Sequence, residues 1–160
     1  PVIISVNYIP KTIQVQYVFA TKVNRYKEMA AQLLEDGNQG IQIIATSNLT
    51  SRGDHFAYVL SREPLLEKEE EIVDNSLLML LRVLRQCDLK KLYLVGFDGY
   101  SDQEDNYFNP HMEYAFVKSK AGNLNHHIRS VLEKEYSDVE LEFVTYSRYS
   151  VVQNSYDGAF

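Results

Sequence analysis

Short apolar runs and helical stripes alternate along this chain. Residues 2–8 (VIISVNY), 15–20 (VQYVFA), 41–46 (IQIIAT) and 56–60 (FAYVL) are apolar runs bounded by polar or proline-bearing turns, which predicts strands. Between the second and third runs, Tyr26, Met29, Ala30, Leu33 and Leu34 recur at helical spacing on one side, and Gly37 and Gly40 stop the pattern. Residues 64–71 are acidic and predict a short exposed helix or loop.

The stretch around which the rest is organised is 72–100, IVDNSLLMLLRVLRQCDLKKLYLVGFDGY. Asp74, Asn75 and Ser76 are residue types that cap a helix N-terminus. Leu77, Leu80, Leu81 and Leu84 form one stripe while Leu78, Met79 and Val83 fill the other side, so this helix is expected to be buried on more than one face. Residues 92–97 (LYLVGF) lack polar alternation and predict a strand covered on both faces. Residues 100–122 are polar and aromatic, and too long for an ordinary connection. Leu124, Ile128, Val131 and Leu132 mark a third helix ending near Tyr136, and the alternation in 139–145 (VELEFVT) suits an edge strand with one wet face. The alternation as a whole predicts an α/β domain over 1–146, with a mostly parallel sheet of about six strands, helices on both faces, and a polar tail over 147–160.

Composition narrows the function classes. With 160 residues, 45% hydrophobic and 24% charged, the chain can bury one sizeable core. A formal net charge of −6 argues against nucleic acid as a partner, because phosphate neutralisation needs a concentrated basic surface. No apolar run approaches the roughly 20 residues of a membrane-spanning helix. A single cysteine, Cys87, forms no internal disulfide and is read as a core thiol, so the expected compartment is cytoplasmic. The chain lacks an initiator methionine and enters a strand almost at Pro1, which reads as a piece of a longer polypeptide. Neither G-x-G-x-x-G nor a Walker loop is present, so a phosphate-binding first unit either lies upstream or never belonged to the domain.

Ligands of parallel sheets sit beyond the carboxyl ends of strands, which directs attention to three spots. Asn7 closes the first run, where its amide either fixes a base or sugar edge or simply caps the strand. Asn75 and Ser76 stand at the amino end of the central helix, where the dipole favours a phosphate or carboxylate and where plain capping is the simpler role. Gly96, Asp98 and Gly99 form an abrupt loop after the buried strand. Asp98 with Asp102, Glu104 and Asp105 departs from the calcium-loop pattern, so a solvated acidic loop is preferred to a metal site. His126 and His127 are adjacent on a helix and point about 100° apart, so they do not share an ion from one face. His55 reads as an exposed turn residue, and His111 in the long segment is the one candidate proton shuttle. Tyr100, Tyr107, Phe108, Tyr114 and Phe116 line a cleft or cover the sheet.

The succession VIISVNY, YVFATKVNRY, DNSLLMLLRVL, KKLYLVGFDGYSDQEDNYF, LNHHIRSVL and FVTYSRY resembles the carboxy-terminal, Rossmann-like domain of aldolases in the pyruvate-carboxyltransferase and hydroxymethylglutaryl-CoA lyase superfamily. The likeness spans essentially the whole chain, with VGFDGY its most specific part. It implies a three-layer α/β/α, Rossmann-like fold and an upstream TIM barrel in the same polypeptide. That barrel would carry the lyase chemistry and the divalent metal, leaving no cofactor in this domain. The outline is also similar to bacterial sialyltransferases that use a CMP-sugar and to archaeal-type hydroxymethylpterin pyrophosphokinases. Those groups imply ligand roles for Asn7, for Asn75 with Ser76, and for Gly96 with Asp98. The histidine the sialyltransferases use would fall within 118–123 (KSKAGN), which has none.

Three functions are therefore expected in order. The first is an accessory domain of an aldolase or lyase that binds a nucleotide-like or phosphorylated group, or serves structure, without lyase catalysis. The second is a nucleotide-sugar-dependent transferase, with His111 as base and Asp98 orienting the donor. The third is an oligomerising module forming homo-oligomers.

Overall fold

The computed structural model describes residues 1–35, 37–52, 56–103 and 117–150. Among these residues six strands and three α-helices follow in order: β1 (Ile4–Val6), β2 (Tyr17–Ala20), α1 (Val23–Ala30), β3 (Gln42–Thr46), β4 (Tyr58–Leu60), α2 (Ser76–Gln86), β5 (Lys91–Leu94), α3 (Val117–Glu135) and β6 (Glu140–Phe143). Every described strand pairing is parallel. The class is mixed α/β, as the alternation predicts. The strands do not form one sheet of six, however: β1-β2-β3-β4 make one sheet and β5-β6 another. The strand count was legible but the partition into two sheets was not.

The chain divides into two compact units, residues 1–68 with 73–86, and residues 69–72 with 87–160. In the first unit, β2 and β3 alternate their side chains between two cores, as the pleat requires. Val18, Ala20, Ile43 and Ala45 pack with Tyr26 and Met29 of α1. Phe19 and Ile44 pack with Met79 and Leu80 of α2. One helix therefore covers each face of the four-stranded sheet, which is what lets these parallel strands be apolar on both sides. Leu77 to Leu81 are buried at five consecutive positions, the all-round burial expected of this helix. Leu34 departs from expectation: α1 stops at Ala30 and a 3-10 turn follows, which carries Leu34 off the apolar stripe and leaves it exposed.

The acidic stretch before α2 holds two 3-10 turns and is not wholly exposed. Leu65 and Glu67 are buried, and the Glu67 carboxylate pairs with Arg82 of α2 at 2.7 Å. Cys87 is exposed and not a core thiol, because α2 ends at Gln86 and the chain turns through Asp88 in a left-handed conformation (φ 60°).

In the second unit β5 and β6 pair in register from Lys91↔Glu140 to Leu94↔Phe143. Glu140 and Glu142 face water, as the alternation of β6 predicts. The expected double-sided cover of β5 is not seen among the described residues: Leu94 is buried, but Tyr93 and Val95 on the other face are 55% and 56% exposed. Tyr93 tolerates this because the Lys91 ammonium lies 4.9 Å from its ring centroid. The third helix starts at Val117, seven residues before its first predicted apolar position, and buries Val117, Ala121, Leu124, Ile128 and Leu132 as one stripe. The beginning of the expected polar tail is anchored, since Ser147 and Tyr149 are buried. No helix among the described residues is long and apolar enough to cross a membrane.

Candidate functional site

All four strands of the first unit run the same way, so their carboxyl ends form one rim, and polar residues gather along it. Asn7 directly follows β1 and takes a left-handed conformation (φ 53°), which asparagine tolerates better than other non-glycine residues. Its amide oxygen accepts from the backbone N–H of Thr21 at 2.8 Å and of Lys22 at 3.2 Å, just past β2. Its amide nitrogen donates to the Thr21 hydroxyl at 3.0 Å and to the Ser76 hydroxyl at 2.9 Å. The two hydroxyls are themselves 2.7 Å apart. One side chain thus knots two strand ends to the first residue of α2, and every donor it has is spoken for.

Further along the rim, Thr46 at the end of β3 donates to Asn48 Oδ1 at 2.6 Å, and Asn48 donates to the Thr21 carbonyl at 3.0 Å. The Ser47 hydroxyl accepts from the Arg62 backbone N–H at 3.1 Å, just past β4. Charge concentrates beside these groups. Lys22 Nζ pairs with Asp74 Oδ2, and Arg62 Nη2 lies 3.7 Å from the same oxygen. Asp74 immediately precedes Asn75, whose side chain caps α2 by accepting from Leu78 N–H at 3.2 Å. Two cations and one carboxylate leave a net positive charge next to a helix N-terminus, a combination that favours anions.

The second unit gathers the other predicted residues. Gly96 donates its N–H to the Thr145 hydroxyl at 2.9 Å, and that hydroxyl donates to Asp98 Oδ1 at 3.3 Å. Arg148 N–H donates to the Asp98 carbonyl at 2.8 Å, and the Ser147 hydroxyl to the Phe97 carbonyl at 2.6 Å. Gly96 and Gly99 both have positive φ, 73° and 87°. At Gly99 a Cβ would lie 2.8 Å from Arg148 Cβ, so the loop closes only over glycine. Asn125 of α3 holds the loop from the far side, accepting from Tyr100 N–H at 2.8 Å and donating to the Tyr100 carbonyl at 2.7 Å. Lys91, at the amino end of β5, has its pKa raised well above the lysine range by the hydrogen bond to Glu140, helped by Tyr93.

The predicted residues therefore fall into two groups. Asn7, Asn75 and Ser76 belong to the first unit, and Gly96, Asp98 and Gly99 to the second. His111, with Glu104, Asp105, Tyr107, Phe108, Tyr114 and Phe116, lies outside the described residues, as does His55. His127 sits 3.7 Å from Glu71 and 3.9 Å from Glu69, while the rings of His126 and His127 are 5.8 Å apart and nearly perpendicular. No group of three His, Cys, Asp or Glu suited to a metal ion occurs among the described residues. A cavity of about 200 Å³ opens at the opposite, amino-terminal end of the sheet, lined by Gln14, Gln16, Gly37 and Gly40 among others. It is smaller than most ligand sites and carries no charged lining, so the rim is the better candidate.

Sequence reasoning missed Thr21, Lys22 and Arg62. Their signal was available in the same form as for Asn7, since each is a polar residue within two positions of the end of an apolar run. Asn125 had no such signal inside its helix. No protein family, no curated protein and no solved structure matches this chain.

Proposed function

We propose that this chain is a ligand-holding, non-catalytic α/β domain that seats a phosphorylated, nucleotide-like group on the carboxyl rim of β1–β4. The supporting observation is the convergence of Lys22, past β2, and Arg62, past β4, on one Asp74 oxygen beside the amino end of α2. In this reading Asn7 is a positioning residue and not a ligand contact, because its amide is consumed within the rim. Lys22, Arg62 and the first turn of α2 meet the anion. A Rossmann-like, three-layer fold is part of the proposal, supported in the first unit by one helix on each sheet face. So is the parentage that the VGFDGY segment suggests: an accessory domain beside a lyase barrel in a longer polypeptide, the metal belonging to the barrel.

The test is calorimetric titration of the full chain with CMP and with pyrophosphate. Binding heat is expected for the native chain. It is expected to vanish in a Lys22→Ala/Arg62→Ala double variant whose circular dichroism is unchanged. A second reading, a scaffold that binds nothing, is favoured by the internal saturation of Asn7, and absence of heat with either probe would select it.

A further inference from the structure

We infer that Asp74 is a tethered stand-in for the ligand's charge, and that it restricts the rim to anions carrying two negative charges, phosphoryl groups in preference to carboxylates. This rests on the anion-binding reading of the rim and adds to it a selectivity and a resident competitor.

Lys22 and Arg62 reach Asp74 from different strands, and both address Oδ2. The three side chains are part-exposed, 29%, 29% and 44% respectively, so the carboxylate can swing into water without opening the core. A single carboxylate oxygen is a poor match for two cations approaching separately. A phosphoryl group offers three oxygens and a second charge, so it engages Lys22 and Arg62 with different atoms. An incoming carboxylate would only exchange one unit charge for another. It would also compete against a group held on the same chain, whose effective concentration is on the order of millimolar or more. Such a ligand loses. A dianion gains a second full attraction and is the species able to displace Asp74. The displaced carboxylate remains within reach, so the rim recloses on itself when the ligand leaves.

Removing the competitor has a signed consequence. Asp74→Asn should bind inorganic phosphate about tenfold more tightly than the native chain, a factor equal to roughly 1.4 kcal/mol and within what two part-exposed ion pairs supply. It should also begin to bind acetate, which the native chain refuses. The measurement is calorimetry on the full chain at mildly alkaline pH, where phosphate is the dianion. Asp74→Ala, which vacates the same position, should repeat both gains, and thermal melts establish that each variant is folded. Adding Lys22→Ala should erase the gain. Equal phosphate affinity in native chain and variants overturns the stand-in role while leaving the anion site standing. Weaker binding in the variants overturns it too, since Asp74 would then contact the ligand. Absence of phosphate binding in every variant overturns the site together with the inference.

Discussion

The Asn7 knot sets a stability cost that can be worked out in advance. Replacing Asn7 with alanine removes the acceptor for Thr21 N–H, a group on a residue only 3% exposed, and an orphaned buried donor costs about 1–3 kcal/mol. The two hydroxyls lose less, because Thr21 and Ser76 lie 2.7 Å apart and keep each other as partners. Alanine must also hold φ near 53°, which costs roughly 1 kcal/mol more than asparagine there. The expected loss is about 2–4 kcal/mol. Asn7→Gly loses the same hydrogen bonds without the backbone strain, so it should be milder by about 1 kcal/mol. Urea unfolding followed by circular dichroism gives both values, and amide hydrogen exchange at Thr21 should accelerate in both variants. The reasoning fails if Asn7→Ala costs under about 1 kcal/mol. It fails equally if alanine and glycine are indistinguishable, for the left-handed conformation would then carry no energy.

Other perturbations divide the same way between geometry and charge. Gly99→Ala should be markedly more destabilising than Gly96→Ala in thermal melts. Both have positive φ, but a Cβ at Gly99 meets Arg148 at 2.8 Å whereas at Gly96 nothing lies within 4 Å; similar melting temperatures would refute this. Glu67→Gln should cost about 1–3 kcal/mol by removing the charge that faces Arg82 across the 2.7 Å contact, while the Leu66 carbonyl still accepts from Arg82. The pair replaced together, Glu67→Leu/Arg82→Met, should recover most of that loss in urea titrations, and a double variant as unstable as the single one would show that the pairing is not the source.

The fold was legible where the local pattern and its burial agree. Leu77 to Leu81 announced a helix buried all round, and Val18-Phe19-Ala20 a strand covered twice; both are so because a helix sits on each face of the four-stranded sheet. The same logic applied to LYLVGF failed. An apolar run records what a strand can tolerate and not what covers it: Tyr93 and Val95 stand in water, Tyr93 beside the Lys91 ammonium. Cys87 and Leu34 failed for a different reason. Leu34 lies on the 3-10 turn beyond the end of α1 at Ala30 and Cys87 just beyond the end of α2 at Gln86, and near a helix end a small shift in winding moves a side chain from core to solvent.

The polar rim was legible residue by residue and not as a group. Asn7, Asn75 and Ser76 were visible because each interrupts or precedes an apolar run. That Thr21 and Lys22 stand beside them was not, since it depends on β1 pairing with β2 and in that register. Strand adjacency is set by long-range pairing that leaves no mark at the strand ends. The sequence left an asparagine at a strand end as either a ligand contact or a strand cap, and its four hydrogen-bonding capacities are taken up in holding Thr21, Lys22 and Ser76. A fully satisfied amide has nothing left to offer a ligand but much to offer a neighbour. By fixing the backbone of Lys22 it seats that residue where its ammonium and Arg62 both reach Asp74, and the anion selectivity proposed for the rim depends on preorganisation of that kind.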